Sequence, residues 1–307
     1  MRGERLTHPP YVSRLAPHPG TVGSAVERAR RLLESAGVPD AGREAAELYA
    51  ALVAGGAALA WLERDRPLAP GLGRRLDGAA RRRAAGWPQA YAAGRANFRG
   101  LWLAVDGRVL IPRPETEGLV DLALDAVRAA AAPSPAVADV GTGSGAIAIA
   151  LAVESPGSAL LATDREAAAL AVARENVAAH GVAERVRVCR GDLLEAVGGE
   201  VLDVVVSNPP YVASGEWAGL EPAVRDHEPR AALDGGADGL EPTRQLLGGA
   251  ARALRPGGVV VVEVDERRAT ATAALARAAG FAACAVLEDL SGRPRYLRAR
   301  RPADGSD

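Results

Sequence analysis

The stretch AVADVGTGSGAIAIA, residues 136–150, decides the fold. Ala136–Val140 is a short apolar run of strand type, and an unbroken apolar helix over Ala146–Val153 follows it. Between them lie Gly141, Thr142, Gly143, Ser144 and Gly145. Glycines at this spacing let the backbone turn sharply and approach a ligand closely, while the helix N-terminus offers unpaired N–H groups to a polar or anionic partner. The loop is therefore predicted to bind a nucleotide-like cofactor. A tight turn without a ligand also fits the glycines, and Gly141, Gly143 and Ala146 fit the dinucleotide pattern GxGxxA, so the neighbouring strand ends must decide.

Downstream, strand-like Ala159–Thr163, Val186–Cys189 and Leu202–Ser207 and helix-like Glu166–His180 continue the alternation. A loop-rich stretch leads to a helix over 240–254, a strand over Val259–Val264, a helix over 268–279 and strands near 282–287 and 295–300. This predicts an α/β, doubly wound, mostly parallel sheet with helices on both faces. Asp164 ends the second strand, 23 residues after Gly141, where a carboxylate accepts from ribose hydroxyls in such folds; taken singly it serves as well as a helix N-cap. Asp192, with Leu193, follows the third strand, placed either to accept from an adenine amine or to close a turn. Together the three strand ends describe an adenosine pocket.

After the strand that ends at Ser207 comes Asn208-Pro209-Pro210-Tyr211. Residues before proline are held extended and prolines donate no hydrogen bond, so the carbonyls of Asn208 and Pro209 form a rigid ledge of acceptors. With the Asn208 side-chain oxygen they can take both hydrogens of a planar NH₂ group while Tyr211 packs on its flat face. A proline-rich turn explains the prolines but not their place at a strand end beside the glycine loop. Such a ledge is suited to methyl transfer onto an amide nitrogen, whose lone pair must be drawn out of conjugation with its carbonyl.

The rest of the chain bounds this reading. Its 307 residues leave room for a medium domain with a small partner, and 48% hydrophobic with 24% charged residues excludes disordered, collagenous and disulfide-scaffold classes. Residues 1–20 are expected to be a flexible leader. Residues 21–88 are expected to form a small helical bundle, with Ser24 and Glu27 as a capping box and helices from about Asp40 and Leu72. Residues 89–112 are read as a β-hairpin linker turning at Asp106–Gly107, and 113–307 as the catalytic domain. Cys189 and Cys284 give no disulfide framework or zinc spacing, and His8, His18, His180 and His227 share no ligand spacing, so no metal is expected. No apolar run is long enough to cross a bilayer and no signal peptide is legible, which predicts a cytoplasmic protein. All 37 basic residues are arginine; residues 1–88 carry 14 against 9 acidic, and the remainder 23 against 29.

At these residues the sequence resembles the HemK/PrmC family of S-adenosylmethionine-dependent protein-glutamine N5-methyltransferases, which modify the glutamine of the Gly-Gly-Gln motif in peptide chain release factors. The resemblance covers about residues 87–300 and rests most specifically on VLIPRPETE (109–117), EPRAAL (228–233) and GGADGL (235–240), with Asn208–Tyr211 shared more widely among methyltransferases of planar nitrogens. It implies a seven-stranded Rossmann-like sheet, S-adenosyl-L-methionine as cofactor with S-adenosyl-L-homocysteine as product, and a release factor as substrate; a monomer is expected, although the sequence does not give the oligomeric state. Gly141–Gly145, Asp164, Asp192, Leu193 and Asn208 would line the cofactor pocket, Asp139 and Glu117 would neighbour the methionine end, and Asn208 to Tyr211 would receive the glutamine. Asn97 departs from the family's usual acidic residue, and Asp265 with Arg267 or Arg268 from its usual Gly and Gln. The competing expectations are transfer to a glutamine of another protein or to adenine N6, and a non-catalytic cofactor binder. Net negative charge over the catalytic half argues against a nucleic-acid track.

Overall fold

A computed structural model describes residues 20–130, 132–199 and 201–303. The expected leader, short of Gly20, lies outside these residues, as do His8 and His18. The chain divides into two compact units, Met1–Ala85 and Gly86–Asp307.

In the first unit, α1 (Val22–Ser35), α2 (Ala41–Val53), the short α3 (Leu59–Leu62) and α4 (Leu72–Ala84) bury Leu33, Leu48 and Leu76 completely. The capping box is one turn earlier than Ser24 and Glu27 predict. Thr21 is the N-cap, its Oγ1 accepting from Ser24 N while Ser24 Oγ accepts from Thr21 N. Glu27 instead pairs along the helix with Arg30 and Arg31. Glu44 and Arg83 tie α2 to α4 through an ion pair of 2.9 Å.

The second unit opens with α5 (Gln89–Ala93) and an antiparallel pair, β1 (Arg95–Phe98) and β2 (Leu101–Ala104). The hairpin turns at Arg99–Gly100, both with positive φ, rather than at Asp106–Gly107, where the Asp106 carboxylate folds back onto Arg108 N at 3.0 Å. Then follow α6 (Glu115–Ala129), β3 (Ala136–Val140), α7 (Ala146–Glu154), β4 (Ala159–Asp164), α8 (Ala167–Ala179), β5 (Val186–Arg190) and β6 (Leu202–Ser207). The chain ends with α9 (Pro222–Arg225), α10 (Glu241–Ala253), β7 (Leu254–Glu263), α11 (Ala269–Ala278), β8 (Ala282–Glu288) and β9 (Pro294–Arg300). The seven-stranded sheet runs β5-β4-β3-β6-β7-β9-β8, with β9 antiparallel to both neighbours and the other pairs parallel.

Alternation along the buried strands sorts the core onto two faces. Val204, Val206 and Val261 pack with α6 and α7, whereas Val205, Val260 and Val262 pack with α10 and α11. The chain leaves β3 toward β4 on one side and later returns through β6 on the other, which opens a crevice at the carboxyl ends of these strands. In register, Val140 lies beside Thr163 and Ser207, so the segments beginning at Gly141, Asp164 and Asn208 emerge side by side.

Candidate functional site: a cleft at the carboxyl ends of β3 to β6

The cleft at this edge has a volume of about 610 Å³, the size of a small-molecule site. Gly141, Gly143, Asp164, Asp192, Leu193, Asn208 and Pro210 line it, together with parts of the 108–110, 229–236 and 241–245 segments.

The glycine loop is held from below. Gly141 N and Thr142 N donate to Thr163 O, each at 2.8 Å, and the buried Asp139 accepts from Thr142 Oγ1 at 2.6 Å and Ala148 N at 3.1 Å through Oδ2. Among the described residues its Oδ1 has no partner, and burial pushes the carboxyl up to about 7. Gly141 (φ 73°) and Gly143 (φ 54°) are left-handed, and a Cβ on either would meet nothing within 4 Å. Bare backbone thus faces open cleft, leaving room for a ligand to approach.

Asp164 lines the cleft, but the N-cap of α8 is Glu166 rather than Asp164. Oδ2 accepts from Gly143 N at 3.0 Å, binding it to the loop, and Oδ1 accepts from Glu166 N at 2.9 Å at the entry to α8. Burial raises its pKa above the ordinary carboxylate value. Asp192 is exposed at the cleft wall, and Leu193 beside it has φ 49° with its carbonyl held by Thr163 Oγ1 at 3.0 Å. The residues present fit S-adenosylmethionine: an apolar wall at Leu193, carboxylates for hydroxyl and amine donors, and exposed backbone at a helix N-terminus.

Beyond β6, Ser207 Oγ donates to Val140 O at 2.7 Å and locks the end of that strand to β3. Among the described residues no donor pairs with the carbonyls of Asn208 or Pro209, and none reaches Asn208 Oδ1. Asn208 Nδ2 donates to Thr116 Oγ1 at 3.2 Å, and Thr116 Oγ1 donates to Glu263 Oε2 at 2.7 Å. Tyr211 is half-buried, and burial pushes its hydroxyl up to about 12. The 228–233 and 109–117 segments interlock where buried Glu228 accepts from Arg113 at 2.5 Å and from Ile111 N at 3.3 Å.

The family model Methyltransferase small domain matches residues 121–220, and PrmC N-terminal domain matches residues 24–94. A release factor glutamine methyltransferase of Cereibacter sphaeroides is 43% identical over 88% of this chain and 95% of its own length. One from Geobacter sulfurreducens is 36% identical over 91% of this chain and 96% of its own. The chain belongs to the release factor glutamine methyltransferase family. The fold is also that of the hMettl16 catalytic domain, crystallised in complex with MAT2A 3′UTR hairpin 6, at TM-score 0.54 and 16% identity over 78% of this chain and 84% of that one.

For a release factor glutamine methyltransferase the cofactor is S-adenosylmethionine, and seven of the fourteen positions singled out in the sequence line the cleft: Gly141, Gly143, Asp164, Asp192, Leu193, Asn208 and Pro210. Others stand behind its wall. Asp139, Thr142, Ser144 and Gly145 brace the loop, Pro209 of the ledge is itself buried, and Tyr211 is half-buried outside the lining. Glu117 does not reach the cleft: its Oε1 accepts from Arg99 N at 2.9 Å, in a separate depression with Leu101 and Glu154. Thr116 fell within the quoted VLIPRPETE segment without being given a role, and Glu263 escaped the motif reading altogether. Glu263, an acidic residue closing the run Val259–Val262, was the available signal, since a buried charge at the end of an apolar strand needs a partner.

Proposed function

We propose that this chain transfers the methyl group of S-adenosylmethionine to the side-chain N5 of the glutamine in the Gly-Gly-Gln motif of peptide chain release factors. The observation that carries the reading is Asn208, which lines the cleft with the Gly141–Gly143 loop and keeps a side-chain oxygen to which no described residue donates. Gly141, Gly143, Asp164, Asp192 and Leu193 hold the cofactor: Asp164 takes the ribose hydroxyls, and Asp192 the adenine amine. When bound, S-adenosylmethionine supplies a methyl group on positively charged sulfur.

Asn208 Oδ1 and the Pro209 carbonyl accept the two N–H bonds of the glutamine amide, and Tyr211 flanks its plane. Acceptors outside the ideal amide plane favour a pyramidal nitrogen and stabilise the positive charge that grows on it. The N–C bond forms as the S–C bond breaks, and one amide proton leaves to solvent. The first unit, with its basic balance and its exposed Trp61 (70%) and Leu62 (65%), serves to dock the protein substrate, which is met in the cytoplasm.

The purified chain, given methyl-labelled S-adenosylmethionine and a release factor, is expected to place one methyl group on the Gly-Gly-Gln glutamine, located by fragment mass spectrometry. Label on another residue, or on none, refutes the assignment.

A further inference from the structure

We propose that Thr116 and Glu263 are positioning residues that hold the Asn208 carboxamide with its oxygen toward the substrate nitrogen. This rests on the role given to Asn208 above. An asparagine amide presents an acceptor on one side and a donor on the other, and the two are nearly equal in shape. Only one orientation is productive: a flipped Asn208 would point N–H at the N–H of the glutamine.

The relay selects the orientation by hydrogen-bond polarity. Glu263, as a carboxylate, only accepts, so the single hydrogen of the Thr116 hydroxyl is committed to Glu263 Oε2 at 2.7 Å. Thr116 Oγ1 is then left as an acceptor, and it takes Asn208 Nδ2–H at 3.2 Å. The amide nitrogen faces Thr116, leaving Oδ1 for the substrate.

The helix that carries Thr116 is itself pinned. Tyr296 on β9 donates to Glu115 O at 2.6 Å, which is possible because position 118 has no side chain: a Cβ on Gly118 would lie 2.4 Å from the Tyr296 hydroxyl. The relay joins the first turn of α6, the end of β7 and the residue following β6, three segments that meet only in the folded sheet.

Its direction depends on charge. Were Glu263 protonated, its hydroxyl could donate to Thr116 Oγ1, freeing the threonine hydrogen for a flipped Asn208 Oδ1. Burial pushes Glu263 up to about 7; Glu115 adds to this rise, and Arg295 and Arg113 oppose it. Tyr211 and Tyr296 also face it and stay neutral, both pushed up to about 12. Transfer is therefore expected to fall as pH drops through the titration of Glu263.

The test measures kcat and KM against pH on the full chain with a release factor, and cofactor affinity by calorimetry. Thr116→Val, which keeps the shape and removes the hydroxyl, is expected to lower kcat about five- to ten-fold, the scale of one neutral hydrogen bond. KM for the release factor and cofactor affinity should stay at their wild-type values. Thr116→Ser, which restores the hydroxyl, should recover most of kcat. The acid limb should persist in wild type and Thr116→Ser and vanish in Thr116→Val and Glu263→Gln. Equal kcat in wild type and Thr116→Val, equal losses in the serine and valine variants, or an unchanged acid limb in Glu263→Gln would overturn the relay. Failure of the unaltered enzyme to methylate glutamine refutes the function itself, a separate outcome.

Discussion

Asn208 retains a side-chain oxygen to which no described residue donates, although its amide nitrogen is engaged. A group so placed contributes to catalysis more than to folding, because removing it strands no buried donor other than that of a substrate. Asn208→Ala is expected to lower the single-turnover rate of transfer roughly 100-fold or more, the loss seen when one preorganised partner of a developing charge is deleted. Melting temperature and cofactor affinity should hardly change, and a near-normal rate would remove Asn208 from the reaction. Asp164 should behave in the opposite way. Its carboxylate organises Gly143 N and Glu166 N while lining the cleft, so Asp164→Ala takes away a charged acceptor worth about 1.5–3 kcal/mol to a ligand. Calorimetry should show cofactor affinity down by one to two orders of magnitude, and unchanged binding would place the ribose elsewhere.

At the scale of elements, the turn from β3 to α7 is braced by a carboxyl that is fully buried and has one oxygen without a partner among the described residues. Burial holds the Asp139 pKa near 7 in the fold, against an ordinary value near 4, so between those pH values the folded chain keeps a proton that the unfolded chain releases. The stability from this proton is complete below the ordinary value and is lost as pH rises through about 7. Asp139→Asn cannot titrate, so its melting temperature should fall less between pH 4 and pH 7 than that of wild type. Glu263 titrates in both proteins and cancels in the comparison. Parallel curves would show that Asp139 is ionised throughout.

The same elements show what could be read from sequence. β3 and β6 were legible because unbroken apolar runs bounded by loop residues have few other solutions, and Asp164 and Asn208 because they directly follow such runs. Helix α6 was not, since its start at Pro114 has no side-chain cap and follows a segment patterned as hairpin. The hairpin turn was displaced because Asp106 satisfies a local backbone N–H instead of turning the chain. Thr116 and Glu263 lie 147 positions apart, so no local pattern could pair them.

For the whole molecule, the division of labour between the units can be tested. Every residue that lines the cleft falls between Arg108 and Gln245, and the core clusters on both sheet faces run from Phe98 to Ala299, all within Gly86–Asp307. A chain beginning at Gly86 therefore keeps the whole sheet, both of its covered faces and the entire pocket wall. It should bind S-adenosylmethionine within about two-fold of the full chain, since the free energy of a small-molecule site comes from the groups that line it. What it gives up is the helical bundle and the positive balance of residues 1–85, 14 arginines against 9 acidic residues. If that bundle docks the release factor, truncation raises KM for the protein substrate and leaves kcat at saturation in place. Because exposed charges are screened beyond about 8–10 Å at physiological salt, the KM advantage of the full chain should shrink as salt is added. Calorimetry with the cofactor and a salt series of methyl-transfer assays on both chains read these effects separately. Loss of cofactor binding on truncation would mean that the cleft needs the first unit to form, and the separation of binding from docking would fail.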